Sequence, residues 1–155
     1  MPVYVKGTNT TLFIDKADIP AYQWKDVTYD HIIISYTHEK SDSNCTRLKV
    51  GGNRVDYPGD CRTPTTDLLA VKLLLNSTIS ILGERFMTLD IKYFYLMTPM
   101  EQYKYMQLKL DNIPKDVIKQ YNLKERFTKD SYVYLKIRQE MYELPQAGIL
   151  AQKQL

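Results

Sequence analysis

The amino-acid sequence predicts an α+β fold, a mixed or antiparallel sheet with packed helices, on three observations. Short runs rich in β-branched and aromatic residues recur, and thirteen tyrosines and four phenylalanines suit pleated, half-buried surfaces. One long segment carries apolar residues at helical spacing instead. Strand-like and helix-like segments interleave irregularly, unlike the regular alternation of a doubly wound sheet. The size agrees, since 155 residues make one domain or a piece of one. With 44% apolar and 25% charged residues the chain can bury a core, which excludes disorder throughout. Lys plus Arg number 21 and Asp plus Glu 18, and the resulting +3 neither demonstrates nor opposes a nucleic-acid partner.

Leu12-Phe13-Ile14 reads as a short strand. The continuous apolar run from His31 to Tyr36 reads as a buried strand. A charged loop follows from Thr37 to Thr46. Arg47 to Val50 then alternates polar and apolar, the mark of a strand with one wet face, and Gly51-Gly52-Asn53 ends it in a turn. Tyr57-Pro58-Gly59-Asp60 is another turn. Leu68, Val71, Leu75, Ile79 and Leu82 then fall at helical spacing. Thr63 as cap, Pro64 at the first position, Asp67 in the first turn and Gly83 as stop bound a helix over 64–82. The spacing predicts that this stripe packs on the sheet. Arg85 to Ile91 reads as a strand with Asp90 at its end, and Tyr105 to Leu110 as another. Pro114 opens a helix over 114–121, Tyr132 to Arg138 alternates as a strand, and Pro145 precedes a helix over about 146–154.

Several classes are excluded. No run approaches the ~18 apolar residues of a membrane span. The opening Met1-Pro2-Val3-Tyr4-Val5-Lys6 lacks the apolar run of a signal peptide, so an intracellular location, cytoplasmic or nuclear, is expected. Cys45 and Cys61 make no disulfide framework, and His31 and His38 lack the cysteine pair of a structural zinc site. The sequence contains no dinucleotide or phosphate-loop signature and no nucleophile elbow.

Three segments could carry chemistry. In Phe86 to Leu96, an apolar strand delivers one carboxylate, Asp90, and a strand-end aspartate is a hard oxygen ligand of the kind Mg²⁺ takes. The strand pattern alone fits a turn cap or a lysine partner better, since most such carboxylates are solvated or paired. Met141 to Gly148 is a turn feeding a helix, with Gln146 near its start, where free N–H groups favour anions; taken alone, a plain helix start explains it better. Lys40, Arg47 and Lys49 are basic residues on or beside one strand; Arg47 is suited to grip phosphate, though a solvated face is the commoner explanation for such residues.

Taken in order, these segments resemble the reverse transcriptases of retrotransposons, closest to copia-like and related element families. Arg47-Leu48-Lys49-Val50-Gly51-Gly52 is similar to the fingers strand R-L-x-V-G-G. Leu89-Asp90-Ile91-Lys92-Tyr93-Phe94-Tyr95-Leu96-Met97-Thr98-Pro99-Met100 is similar to L-D-I-x-x-F-Y-L-x-T-P-M, and Met141-Tyr142-Glu143-Leu144-Pro145-Gln146-Ala147-Gly148 to M-Y-G-L-P-Q-A-G. Asn53 to Leu75, with Tyr57-Pro58-Gly59-Asp60-Cys61, also looks like that family, so the resemblance spans roughly residues 12–155. It implies a partial fingers–palm domain, with residues 1–85 fingers-like and 86–155 the start of the palm. It further implies template-directed addition of deoxynucleotides to the 3′-hydroxyl of an RNA or DNA template-primer. Asp90 would be the first catalytic carboxylate and a ligand of two Mg²⁺ ions, and the Ile91 carbonyl would bind one of them. Arg47 would clamp the triphosphate, Tyr95 would be the aromatic gate beneath the incoming sugar, and Gln146 would contact the nucleotide.

The sequence also departs from the family. The family completes its metal site with two adjacent aspartates, and no Asp-Asp pair occurs in these 155 residues. Glu143 stands where the pattern has Gly, a position whose backbone a side chain opposes. Tyr93 stands where small or polar residues are usual, Met97 replaces Asn, and Arg62 replaces Gly. A polymerase fragment without transfer activity of its own is therefore expected. The alternatives are a non-catalytic element remnant and a host-adopted nucleic-acid-binding or interaction domain.

Overall fold

The computed structural model describes residues 8–36, 38, 44–63 and 65–154, with the side chains of Asn44 and Cys45 excepted. Lys40 and Pro64, both singled out above, lie outside the described residues. The chain forms a five-stranded mixed sheet with a few helices. Its strands are β1 (Thr11–Ile14), β2 (Thr28–Tyr36), β3 (Asn44–Val50), β4 (Pro99–Lys109) and β5 (Tyr132–Gln139). Their order across the sheet is β1-β5-β4-β2-β3. All neighbours are antiparallel except β2 and β4, which run parallel over Thr28–Met106 and Tyr29–Gln107 only. The helices are α1 (Leu68–Ser80), α2 (Lys115–Gln120) and α3 (Ala147–Gln152).

Side-chain alternation on β4 and β5 splits the core between the two faces of the sheet. Met106, Leu108, Val133, Leu135 and Ile137 point to one face, where Val50, Ile113, Leu123, Met141, Leu144 and Ala147 close over them. Tyr105 and Tyr134 point to the other, against Ile19 and Val27. Each fully buried aliphatic of this kind contributes roughly 1.5–3 kcal/mol. Pro99 opens β4, earlier than the alternation at Tyr105 indicates; a first strand position is where proline forfeits no needed ladder donor.

Three expectations are corrected. The run His31 to Tyr36 is a strand, but it is not buried. Beyond Tyr29, β2 pairs among the described residues with β3 alone, so Ile32, Ile34 and Tyr36 stand on a two-stranded ribbon and are exposed. The helix begins at Leu68 rather than 64, because the Asp67 carboxylate accepts the Leu69 N–H at 2.9 Å and makes Asp67 the cap. It buries none of its residues, and Leu68, Leu75, Ile79 and Leu82 of the predicted stripe are all exposed. Leucines and a valine lie around the whole helix in Leu68-Leu69-Ala70-Val71-Lys72-Leu73-Leu74-Leu75, so no polar face orients it toward the sheet. Finally, Arg85 to Ile91 forms no strand; the segment is irregular, with Phe86, Met87, Leu89 and Ile91 exposed. A strand needs a neighbour for its backbone groups, and apolar composition does not supply one.

Candidate functional site

The end of β3 is tied to the turn that leads into α3. The Val50 N–H donates to the Tyr142 carbonyl at 3.2 Å, and Lys49 Nζ pairs with Glu143 Oε1 at 2.8 Å. A Cβ on Gly52 would collide with the Glu143 carbonyl oxygen, so this approach of two backbones requires glycine there. Glu143 itself has φ +74°, the left-handed conformation that glycine adopts freely and a glutamate does not. The site is mended by charge. Lys49, and His31 Nδ1 at 3.8 Å, surround the carboxylate, and the hydrogen bond from Lys49 holds it below its usual range.

Tyr142 is the meeting point. The Arg47 guanidinium lies 5.8 Å from its ring centroid, a cation–π arrangement, and Tyr95 meets the same ring edge-on at 5.7 Å. Arg47 and Tyr142, with Tyr93, Leu96 and Met141, line a cavity of about 460 Å³. Arg47 is exposed and Tyr95 half-buried, and Tyr142 links the cation at the cavity to that second ring. Tyr93 reaches this cavity from a left-handed backbone, φ +59°. Three stretches far apart in the chain thus converge: the end of β3, the turn before β4, and residues 141–144.

Three predicted site residues stand apart. Asp90 is exposed on irregular backbone and has no hydrogen-bond or ion-pair partner among the described residues; Ile91 beside it is exposed as well. Gln146 is buried, but it lines a different cavity, of about 410 Å³. There its Nε2 donates to Glu140 Oε1 at 3.3 Å. Glu140 is 0% exposed, and burial pushes its carboxyl up to about 7, against the Gln146 hydrogen bond and the nearby Lys104 charge.

Glu140 and Tyr142 are the residues the sequence reading missed. The pattern that singled out Asp90, an apolar strand delivering one carboxylate, occurs equally at the end of β5, and there the carboxylate is buried. Nothing in the sequence marks Tyr142 as a ring shared by Arg47 and Tyr95. No family model, curated protein or solved structure matches the chain.

Two Mg²⁺ ions require several hard oxygen ligands in fixed positions. Among the described residues no three His, Cys, Asp or Glu side chains are grouped to hold a metal ion, and Asp90 with the Ile91 carbonyl offers two donors on exposed backbone. The donor set does not fit a two-metal site.

Proposed function

We propose that the chain is a piece of an RNA-directed DNA polymerase, with residues 1–85 fingers-like and 86–155 the start of the palm, and that alone it binds nucleotide without transferring it. The observation that carries this reading is the convergence on Tyr142. The three motifs of the resemblance are separated by tens of residues, yet Arg47 and Tyr95 both meet the Tyr142 ring, and Arg47, Tyr93, Leu96, Met141 and Tyr142 line one cavity. The left-handed Glu143 adds support, because it occupies the position where the family pattern has glycine.

In this reading Arg47 grips the triphosphate through charge-assisted hydrogen bonds. Tyr95 sets a ring beneath the sugar and excludes a 2′-hydroxyl. Gln146, the third nucleotide contact, must release Glu140 to reach the same ligand. Mg²⁺ and the template-primer belong to the proposed intact enzyme, and no transfer step is assigned to this chain's residues, since the metal donors present do not suffice.

Calorimetric titration with a deoxynucleoside triphosphate tests the reading. Binding that weakens with salt, falls about tenfold in Arg47→Ala and extends to ribonucleotides in Tyr95→Ala is expected, the tenfold corresponding to ~1.4 kcal/mol. Binding unaffected by Arg47→Ala sinks the assignment. Primer extension by the chain alone, abolished by Asp90→Ala, would overturn the claim that it does not catalyse transfer.

A further inference from the structure

The cavity behind Gln146 is chemically unlike the one beside Arg47. Two of its lining residues carry buried acceptors that have no hydrogen-bond partner among the described residues, Glu140 Oε2 and Gln146 Oε1. With its Nε2 bonded to Glu140 Oε1, Gln146 has its amide oxygen left over. Both side chains line the cavity, and both are at least 98% buried. The Asp56 and Glu101 side chains, both exposed, add negative charge to the lining. The cation of the wall, Lys104, already donates to the Asp56 carbonyl at 3.3 Å. Tyr57, Met100 and Leu150 supply apolar surface. A buried acceptor left unpaired is unfavourable and is relieved by any donor that reaches it. The lining therefore asks for N–H donors, positive charge and a flat apolar body, and it disfavours a triphosphate.

We propose that this cavity is a binding site for a planar N–H cation, an amidinium or guanidinium group, with Glu140 and Gln146 as its acceptors. A planar cation presents two donors side by side and can reach a carboxylate oxygen and an amide oxygen together. The inference does not depend on the polymerase reading, since it rests on residues behind the turn and on ligand charge of the opposite sign. The group could come from a small amidine or from an arginine side chain of a peptide.

The test titrates the full chain with benzamidine, its neutral isostere benzamide, and a capped arginine, following the Gln146 side-chain amide and Leu150 methyl resonances. Benzamidine is expected to move both signals and to bind about tenfold more tightly than benzamide, the worth of one charge-assisted hydrogen bond. Glu140→Gln should abolish that preference, and Asp56→Asn, an exposed change that leaves the core intact, should weaken binding a few-fold. Capped arginine equal to or tighter than benzamidine identifies a peptide side chain as the source; the reverse identifies a small amidine. Equal binding of benzamidine and benzamide, or no movement of either signal, overturns the proposal. A triphosphate that moves these signals while benzamidine does not would assign the cavity to the nucleotide site instead.

Discussion

The far end of β2 and the middle of β5 are both apolar, β-branched strands, yet Ile34 is 75% exposed and Ile137 is 0% exposed. The difference lies in their neighbours. β5 has strands on both sides and the 141–147 segment laid across its face. Beyond Tyr29, β2 is paired with β3 alone. The helices repeat the contrast. Six-residue α3 buries Ala147, Leu150 and Ala151, whereas thirteen-residue α1, with five leucines, buries none of its residues. Forming an element and covering it are separate events: the first follows local preference and the second needs a complementary surface at the right place.

The sharpest way to break this contrast is mutation of matched aliphatics. Ile137→Ala should cost 2–5 kcal/mol through a buried cavity, and Ile34→Ala no more than about 0.5 kcal/mol, read as shifts of the urea midpoint at constant slope. Comparable costs would mean that the ribbon is covered in solution.

The next effect depends on pH. The Glu140 carboxyl is raised from 4.5 to about 7 in the folded chain. The unfolded carboxyl ionises first, so between these values the folded state holds more protons and stability falls as pH rises. Full stability holds below about 4.5, and the loss is complete above about 7. Glu140→Gln should thus be more stable than the native chain at pH 8 by up to about 3 kcal/mol, and no more stable at pH 4. A difference independent of pH would show that Glu140 is not buried as an acid.

Glu143 gives a smaller effect. Glu143→Gly relieves the left-handed backbone, worth about 1–2 kcal/mol, and loses an exposed ion pair worth under about 1 kcal/mol. Net stabilisation is expected, whereas Glu143→Ala keeps the strain, loses the pair and should destabilise. Thermal melts of the two variants in opposite directions would confirm the strain.

Smallest of all, Leu75→Ala should shift the midpoint by less than about 0.5 kcal/mol, because Leu75 is 38% exposed on a helix that buries none of its own residues. A cost of 2–5 kcal/mol, as the helical stripe leads one to expect, would place α1 in a core.

The sequence by itself determined the α+β class, β1, the positions of β2, β3 and β5, the starts of α2 and α3, and the glycine turn after Val50. These depend on periodicity, on proline and glycine, and on residues within a few positions of one another. It also marked three segments that come together in the fold. Only the tertiary structure decided which apolar segments are covered, that Arg85 to Ile91 forms no strand, and that the buried carboxylate is Glu140 and not Asp90. A strand ending in one acid reads the same in both places; burial depends on what folds over it, and at Glu140 that is Gln146 and Thr98, six and forty-two residues away. The joining of Arg47 and Tyr95 through Tyr142 was likewise beyond a one-dimensional reading, because it follows from the ladder hydrogen bonds and the close passage of Gly52 over Glu143.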